Sequence, residues 1–382
     1  MQPHDKAARF FLVAQVMAAL GAFAGALVLP YRFSGMAAVH IHLALALGAL
    51  PLIFGAMGHF VPVLTRSRSA PLGIVLLIPF AAIGGAVAVM LFARASLVQL
   101  AWPASAVAVA AAALLGWAFR RGRRCLGSPH PGLQWYLAAL VCLVAALLAV
   151  LAMNVWPEQR LALKRFHLHL NLFGFIGLTA IGTLQVLLPT AAGRLDQGAA
   201  RRLRQDVLPA VLGAVLLALG AVYLPGLAWA GLALWLWVSA RVAISWLTLY
   251  RDALFSWHGA APSLAAALAG FALALLAGAA HGAGAVPSST AGHVFVAAFL
   301  LPLVSGAVSQ LLPLWLRPGS QNAWHAEVRR RLGRWGGARA LLFLAGGVGL
   351  ALNGPLGFAP VSAAMLLFFW GLGRAVTLRR SF

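Results

Sequence analysis

Long apolar windows separated by short polar segments recur along the whole chain. The hydrocarbon layer of a bilayer is about 30 Å thick, so a helix rising about 1.5 Å per residue needs roughly 20 apolar residues to cross it. Twelve windows fit this length, of which the eleventh is the weakest because of its glycines. The pattern predicts an all-α polytopic membrane protein with twelve transmembrane helices. The predicted spans are 10–29, 38–62, 71–92, 97–119, 133–153, 163–189, 207–224, 226–249, 262–282, 289–313, 338–353 and 356–373.

A pattern of histidine, glycine and proline recurs in three of these windows. A glycine follows each of His42, His169 and His293 by 13 residues, and a proline follows each by 20. Successive copies are offset by 127 and 124 residues, which indicates one unit present three times. We therefore expect a single membrane domain over 1–382, with three four-helix arcs related by pseudo-threefold symmetry. The units are roughly 1–120, 121–250 and 251–382.

The net charge of +22 describes orientation in the membrane and not an affinity for nucleic acid. When the N-terminus is placed inside, most of the 28 Lys and Arg residues fall on cytoplasmic segments, for example 120–124, 201–204 and 329–334. This is the positive-inside bias, and it predicts that both chain termini are cytoplasmic. The partner implied by the charge is the lipid bilayer, with its anionic headgroups.

The acidic residues exclude one class of function. Proton-coupled pumps usually keep a carboxylate within the bilayer, where its cost is tolerated only for function. Here every acidic residue is expected in a loop or at a span end, so a carboxylate proton relay is not expected. The six residues are Asp5, Glu158, Asp196, Asp206, Asp252 and Glu327.

Histidines gather at one depth of the predicted membrane. Spans 2, 6 and 10 all run from outside to inside, and each carries its histidines near its outer end. A metal or haem would satisfy several buried imidazoles at once, since neutral imidazole suits iron, copper and zinc. The alternative is hydrogen bonding to Asn171, Thr179 and backbone carbonyls. Histidines in the inner loops, such as His130 and His325, are expected to be solvated. The outer group is His40, His42, His167, His169, His281 and His293.

Two spans carry a His-x-His pair, His40 with His42 and His167 with His169. Residues two apart on an α-helix differ by about 200° around its axis. The members of a pair therefore face nearly opposite sides. One helix can serve two neighbouring sites, but the pair does not chelate one ion.

Twelve spans, three four-helix units and histidines in the outer halves of spans 2, 6 and 10 resemble subunit I of the haem-copper oxidases. The pattern looks most like their divergent short relatives, such as the NnrS-type haem and copper membrane proteins. The resemblance implies a bacterial inner-membrane protein with haem b held axially by His42 and His293. It also implies that His40, His167, His169 and His281 are candidates to hold copper or a second haem.

The chain departs from the oxidase pattern in span 10 and after span 6. Position 295, two residues after His293, is Phe295, and no histidine lies between 170 and 257. The second haem ligand and the His-His copper pair are therefore missing, as is a tyrosine in span 6. The expected role is electron transfer or the handling of nitric oxide or copper, with a membrane or periplasmic electron-transfer partner, and not ordinary dioxygen reduction. If the protein is an enzyme, the resemblance implies an oxidoreductase.

A membrane transporter of metals or small solutes is the alternative interpretation. Carriers also have twelve spans and internal repeats, but their repeats are usually twofold or inverted, with broken helices at the midplane. A threefold direct repeat with aligned histidines fits that class poorly. A copper carrier would also be expected to use Met and Cys ligands, and neither forms a cluster here.

Overall fold

The computed structural model describes residues 3–31, 33 and 36–378, and within these residues all regular structure is helical. Twelve of the helices are long and apolar enough to cross a membrane, which confirms the predicted all-α polytopic class. Spans 1 to 12 are Arg9–Val28, Ala37–Leu64, Leu72–Ala93, Leu97–Arg123, Gly132–Val155, Pro157–Ala191, Ala199–Gly220, Pro225–Leu249, Ala261–Gly282, Ser288–Leu316, Ala323–Leu352 and Gly354–Ala375. The chain ends, predicted to be cytoplasmic, include residues 1–2 and 379–382, which lie outside the described residues.

Most span boundaries lie within a few residues of those predicted from hydropathy, and the exceptions have a common cause. Span 7 begins at Ala199 and not at 207, because the arginine-rich turn before it is already helical. Span 11 consists of two helices, the basic Ala323–Leu332 and the apolar Gly336–Asn353, and only the second was predicted from hydropathy. Arginine is a good helix former, so the helices continue into basic segments. A prediction from hydropathy alone places the helix boundary too late, because it excludes these segments.

The helices form two compact units. The first contains residues 1–183 and 197–238, and the second contains 184–196 and 239–382. The boundary falls within spans 6 and 8, so it does not follow the predicted repeat boundaries. The arrangement of three arcs around a threefold axis stays a prediction.

Glycine permits the closest helix contacts inside each unit. In the first unit, a Cβ atom on Gly85 of span 3 would overlap the carbonyl of Ala46 in span 2. In the second, a Cβ atom on Gly270 of span 9 would overlap the carbonyl of Ala298 in span 10. Small residues let two membrane helices approach until their backbones touch. In lipid the hydrophobic effect does not favour helix association, so van der Waals contacts of this kind stabilise the pair.

Two charged side chains, Asp206 and Arg339, are fully buried. Asp206 lies within the helix Ala199–Gly220 and has no exposed surface. Arg339 lies in the first turn of the helix Gly336–Asn353, also without exposed surface. Its Nη2 donates to Ser309 Oγ at 3.3 Å, and its guanidinium carbon lies 5.3 Å from the centre of the Phe368 ring. The expectation that every acidic residue lies in a loop or at a span end is therefore wrong for Asp206.

Candidate functional site

Each repeat histidine is followed at once by a π-helical segment. In span 2 the segment is Leu43–Ala49, directly after His42. In span 6 it is Leu170–Gly177, directly after His169. In span 10 it is Phe295–Leu300, two residues after His293. π-Helical turns are rare and frequently occur at functional sites. In all three spans the repeat histidine therefore lies within two residues of a π-helical segment.

Proline accounts for two of the three π segments. Pro51 and Pro302 each lie nine residues after the repeat histidine, in the first turn of the α-helix that resumes. A proline has no N–H to donate to the carbonyl four residues earlier, and its ring crowds that carbonyl, so the preceding turn widens. In span 2 the carbonyl left without its usual donor is that of Leu47, which accepts a hydrogen bond from Gln15 Nε2 of span 1 at 3.1 Å.

His42 and His167 face each other within the first unit. The centres of their imidazole rings are 6.4 Å apart, and the ring planes differ by 11°. Phe92 of span 3 packs against His42, with ring centres 4.2 Å apart. The two helices meet through the second histidine of one His-x-His pair and the first histidine of the other.

Each of these two imidazoles has one ring nitrogen hydrogen-bonded to a backbone carbonyl. His42 Nδ1 lies 2.7 Å from the Ala38 carbonyl, and His167 Nδ1 lies 2.8 Å from the Ala146 carbonyl of span 5. A carbonyl only accepts, so Nδ1 carries the proton and donates in both residues. The Nε2 of each neutral ring is then left with a lone pair. This arrangement is how proteins fix the tautomer and orientation of metal-binding histidines.

The other outer histidines of the first unit have contrasting surroundings. His169 Nδ1 donates to the Arg165 carbonyl at 2.8 Å, and its ring lies near Phe173. His40 is buried, and its ring makes no hydrogen bond to any residue that the structure describes. His40 lies two residues before His42, and it stays a candidate ligand on the sequence pattern.

The second unit contains the remaining outer histidines. His281 Nδ1 donates to the Val286 carbonyl at 3.1 Å, and this residue is exposed. His293 is half-buried beside its π segment. The pairing of His293 with His42 around one haem stays a prediction.

The alternative of hydrogen bonding is met mainly by backbone carbonyls, and Asn171 Nδ2 also lies 3.4 Å from His167 Nδ1. Asn171 Nδ2 donates to the His167 carbonyl at 2.8 Å, and Thr179 Oγ1 donates to the Phe175 carbonyl at 2.7 Å. These side chains therefore stabilise their own helix. The carbonyl bonds satisfy one nitrogen of His42 and one of His167, and they leave the second nitrogen of these two rings available.

A three-imidazole site is not formed by the part of the chain that the structure describes. In these residues no three His, Cys, Asp or Glu side chains come together as a metal-binding group. The arrangement that is present offers two imidazoles, which is the number that haem iron takes from a protein in a bis-histidine site.

Two of the inner histidines, His130 and His325, differ from the solvated residues expected there, whereas His258 is exposed as expected. His325 is buried, donates from Nε2 to the Arg317 carbonyl at 2.7 Å, and caps the helix Ala323–Leu332 together with Asn322. His130 is half-buried, and its Nδ1 accepts from the Gly132 amide at 3.1 Å. Burial and the nearby charge of Arg204 lower the pKa of His130. These residues have structural roles at loop turns.

Comparison with models of known protein families gives no match, and comparison with curated proteins gives no match either. The functional interpretation therefore depends on the geometry of the site and on the resemblance stated above.

Proposed function

We propose that this integral membrane protein is a haem protein that acts in electron transfer or in the handling of nitric oxide or copper. The observation that carries the proposal is the facing pair of His42 and His167, each with Nδ1 committed to a carbonyl and Nε2 available. The pair lies near the outer ends of spans 2 and 6, beside two π segments. A redox role is favoured because this donor set suits iron.

The two imidazoles lie close together, with ring centres 6.4 Å apart and nearly parallel planes. Neutral imidazole nitrogen suits iron, and histidine is a common ligand of haem iron. The donor set of His42 and His167 is therefore one that could hold haem.

Haem bound there would supply a one-electron iron couple whose potential depends on its axial ligands and surroundings. His42 and His167 would be the ligands of this site, and the carbonyls of Ala38 and Ala146 would fix the orientation of the two rings. Phe92 covers one face of His42 and limits the access of water to it. Hydrogen bonds from Nδ1–H raise the basicity of each ligand nitrogen.

The resemblance to oxidase subunit I implies a different second ligand, His293. His42 is a ligand in both pairings. The second ligand would be His167 in the pair seen in the structure and His293 in the pair that the resemblance implies. The transporter alternative gains no support from the backbone. Transporter helices interrupted at the midplane expose unwound segments, whereas spans 2, 6 and 10 widen into π turns and remain helical throughout.

The visible absorption spectrum of the purified protein tests the proposal. We expect a Soret band and, after addition of dithionite, the sharp α and β bands of a low-spin haem. The protein should be expressed with added haem precursor, so that the cofactor is not limiting. A folded, monodisperse protein without Soret absorption would refute the haem proposal.

Copper is proposed as a second metal because the resemblance to the haem-copper oxidases makes His40 a candidate ligand, and this residue is buried. Together with His169 it would supply imidazole nitrogen, which copper binds well. We expect near-stoichiometric copper in the purified protein and its loss in the H40A/H169A double variant, measured by elemental analysis beside iron. Iron without copper in the wild-type protein would restrict the site to haem.

A further inference from the structure

Two arginines share one tryptophan at the end of the second unit where span 12 finishes. The guanidinium carbon of Arg334 lies 5.0 Å from the centre of the Trp370 ring and 5.5 Å from that of Trp335. The guanidinium carbon of Arg374 also lies 5.0 Å from the centre of the Trp370 ring. Both arginines are exposed, and Trp370 is 46% exposed. Guanidinium groups held over aromatic rings keep their N–H donors directed outwards.

The backbone around this Arg334–Trp370–Arg374 cluster is rigidly held. Trp335 has a left-handed conformation with φ 61°, which is rarely adopted by a bulky residue. Its amide donates to His258 Nδ1 at 3.2 Å, and its ring packs edge-on against Trp257. Strain of this kind persists only where surrounding contacts enforce it, and it often marks a binding site.

The end of span 12, which carries Arg374, is also held in place by a hydrogen bond. Arg331 Nη1 donates to the carbonyl of Arg374 at 2.7 Å, which joins the end of span 12 to the helix Ala323–Leu332. The carboxylate of Glu327 is bound by Arg330 and Arg331, at 2.7 Å in each case. Among the described residues no carboxylate forms an ion pair with Arg334 or Arg374.

We propose that Arg334, Arg374 and Trp370 bind the headgroup of an anionic phospholipid. Two like charges gathered at one ring repel each other, and an anion bound beside them relieves that repulsion. A phosphodiester accepts hydrogen bonds from guanidinium groups in a planar, bidentate manner. The cluster lies at the terminus of a membrane span, where tryptophan rings lie at headgroup level and where acyl chains are available beside the helix. The basic bias of this face predicts that it is the cytoplasmic one, which is the leaflet rich in anionic lipid.

The test compares lipid binding by the full chain and by matched variants. Purified protein is titrated with phosphatidylglycerol or with phosphatidylcholine in detergent, and bound lipid is counted by native mass spectrometry. We expect selective retention of phosphatidylglycerol and a roughly 30-fold weaker affinity in R334Q/R374Q, from the loss of two surface cations. W370L keeps both charges and should also weaken binding, because the ring that holds the two guanidiniums is lost.

The control variant is R121Q/R123Q, which removes the same charge from another arginine-rich turn. There each arginine lies over a ring of its own, Arg121 over Trp117 and Arg123 over Phe119. Equal losses in the two double variants would show that total charge decides binding and would overturn the proposal. Unchanged binding by W370L would also overturn it. Competition by soluble glycerol phosphate at the same concentration as lipid would show a site for free phosphate instead.

Discussion

Replacement of His42 or His167 with alanine is expected to abolish the low-spin haem spectrum. Each change removes one of two imidazoles whose ring centres lie 6.4 Å apart, and the remaining ligand cannot hold six-coordinate iron alone. We expect haem content to fall by about tenfold or more, because losing even a residue that only hydrogen-bonds to a ligand typically costs about 10- to 100-fold in metal affinity. Absorption spectra of purified variants, normalised to protein concentration, measure this directly.

His169 provides the matched control on the same helix. It is two residues from His167 and likewise donates Nδ1–H to a carbonyl, but its ring lies near Phe173 and not near His42. The H169A variant should keep the low-spin spectrum. If the spectrum is lost in H169A but not in H167A, then His169 and not His167 is the ligand, which would contradict the proposed site.

The H293A variant distinguishes the two possible pairings. If the spectrum depends on His42 and His167 but survives in H293A, the facing pair supplies both ligands. If it depends on His42 and His293 and survives in H167A, the pairing implied by the oxidase resemblance is correct. Free imidazole added to the ligand-deficient variant should restore the low-spin bands, a result that a merely structural histidine would not produce.

Hydropathy was sufficient to predict the fold class because each span must satisfy its own backbone in lipid. The helix boundaries at basic segments were predicted less well. Residues 201–204 belong to the helix Ala199–Gly220, whereas hydropathy placed them before the span. Asp206 was placed at a span end for the same reason. A longer helix carries this carboxylate into the buried interior of the protein.

The repeat pattern predicted which histidines are equivalent, but it did not predict which would meet. A π turn changes the angular position of every later residue around the helix axis. A periodicity of 3.6 residues therefore assigns the residues after His42 and His169 to the wrong side of their helices. Part of the signal was present in Pro51 and Pro302, at the same distance after their histidines. Position 178 in the middle repeat is leucine, so proline alone could not have revealed the third segment.

Replacement of Gly270 with valine is expected to destabilise the second unit severely. Gly270 of span 9 faces the carbonyl of Ala298, the residue four before Pro302 and therefore without its usual helical donor. A Cβ atom at position 270 would overlap this carbonyl, which belongs to the backbone and cannot rotate away. Gly347 of span 11 approaches the same residue, since a Cβ atom there would lie 2.7 Å from the Ala298 Cβ. The π segment after His293 is thus held between two glycines.

The expected result is a Tm lower by roughly 5 °C or more, since overpacking a close contact costs about 1–3 kcal/mol. Thermal unfolding in detergent, followed by loss of the monodisperse size-exclusion peak, measures it. Gly282 is the control on the same helix, because a Cβ atom there would have nothing within 4 Å, and G282V should unfold near the wild-type temperature. Equal stability of G270V and G282V would show that spans 9 and 10 do not make this contact. A selective loss in G270V would establish that the backbone beside His293 is set by glycine on its neighbours, and not by the histidine itself.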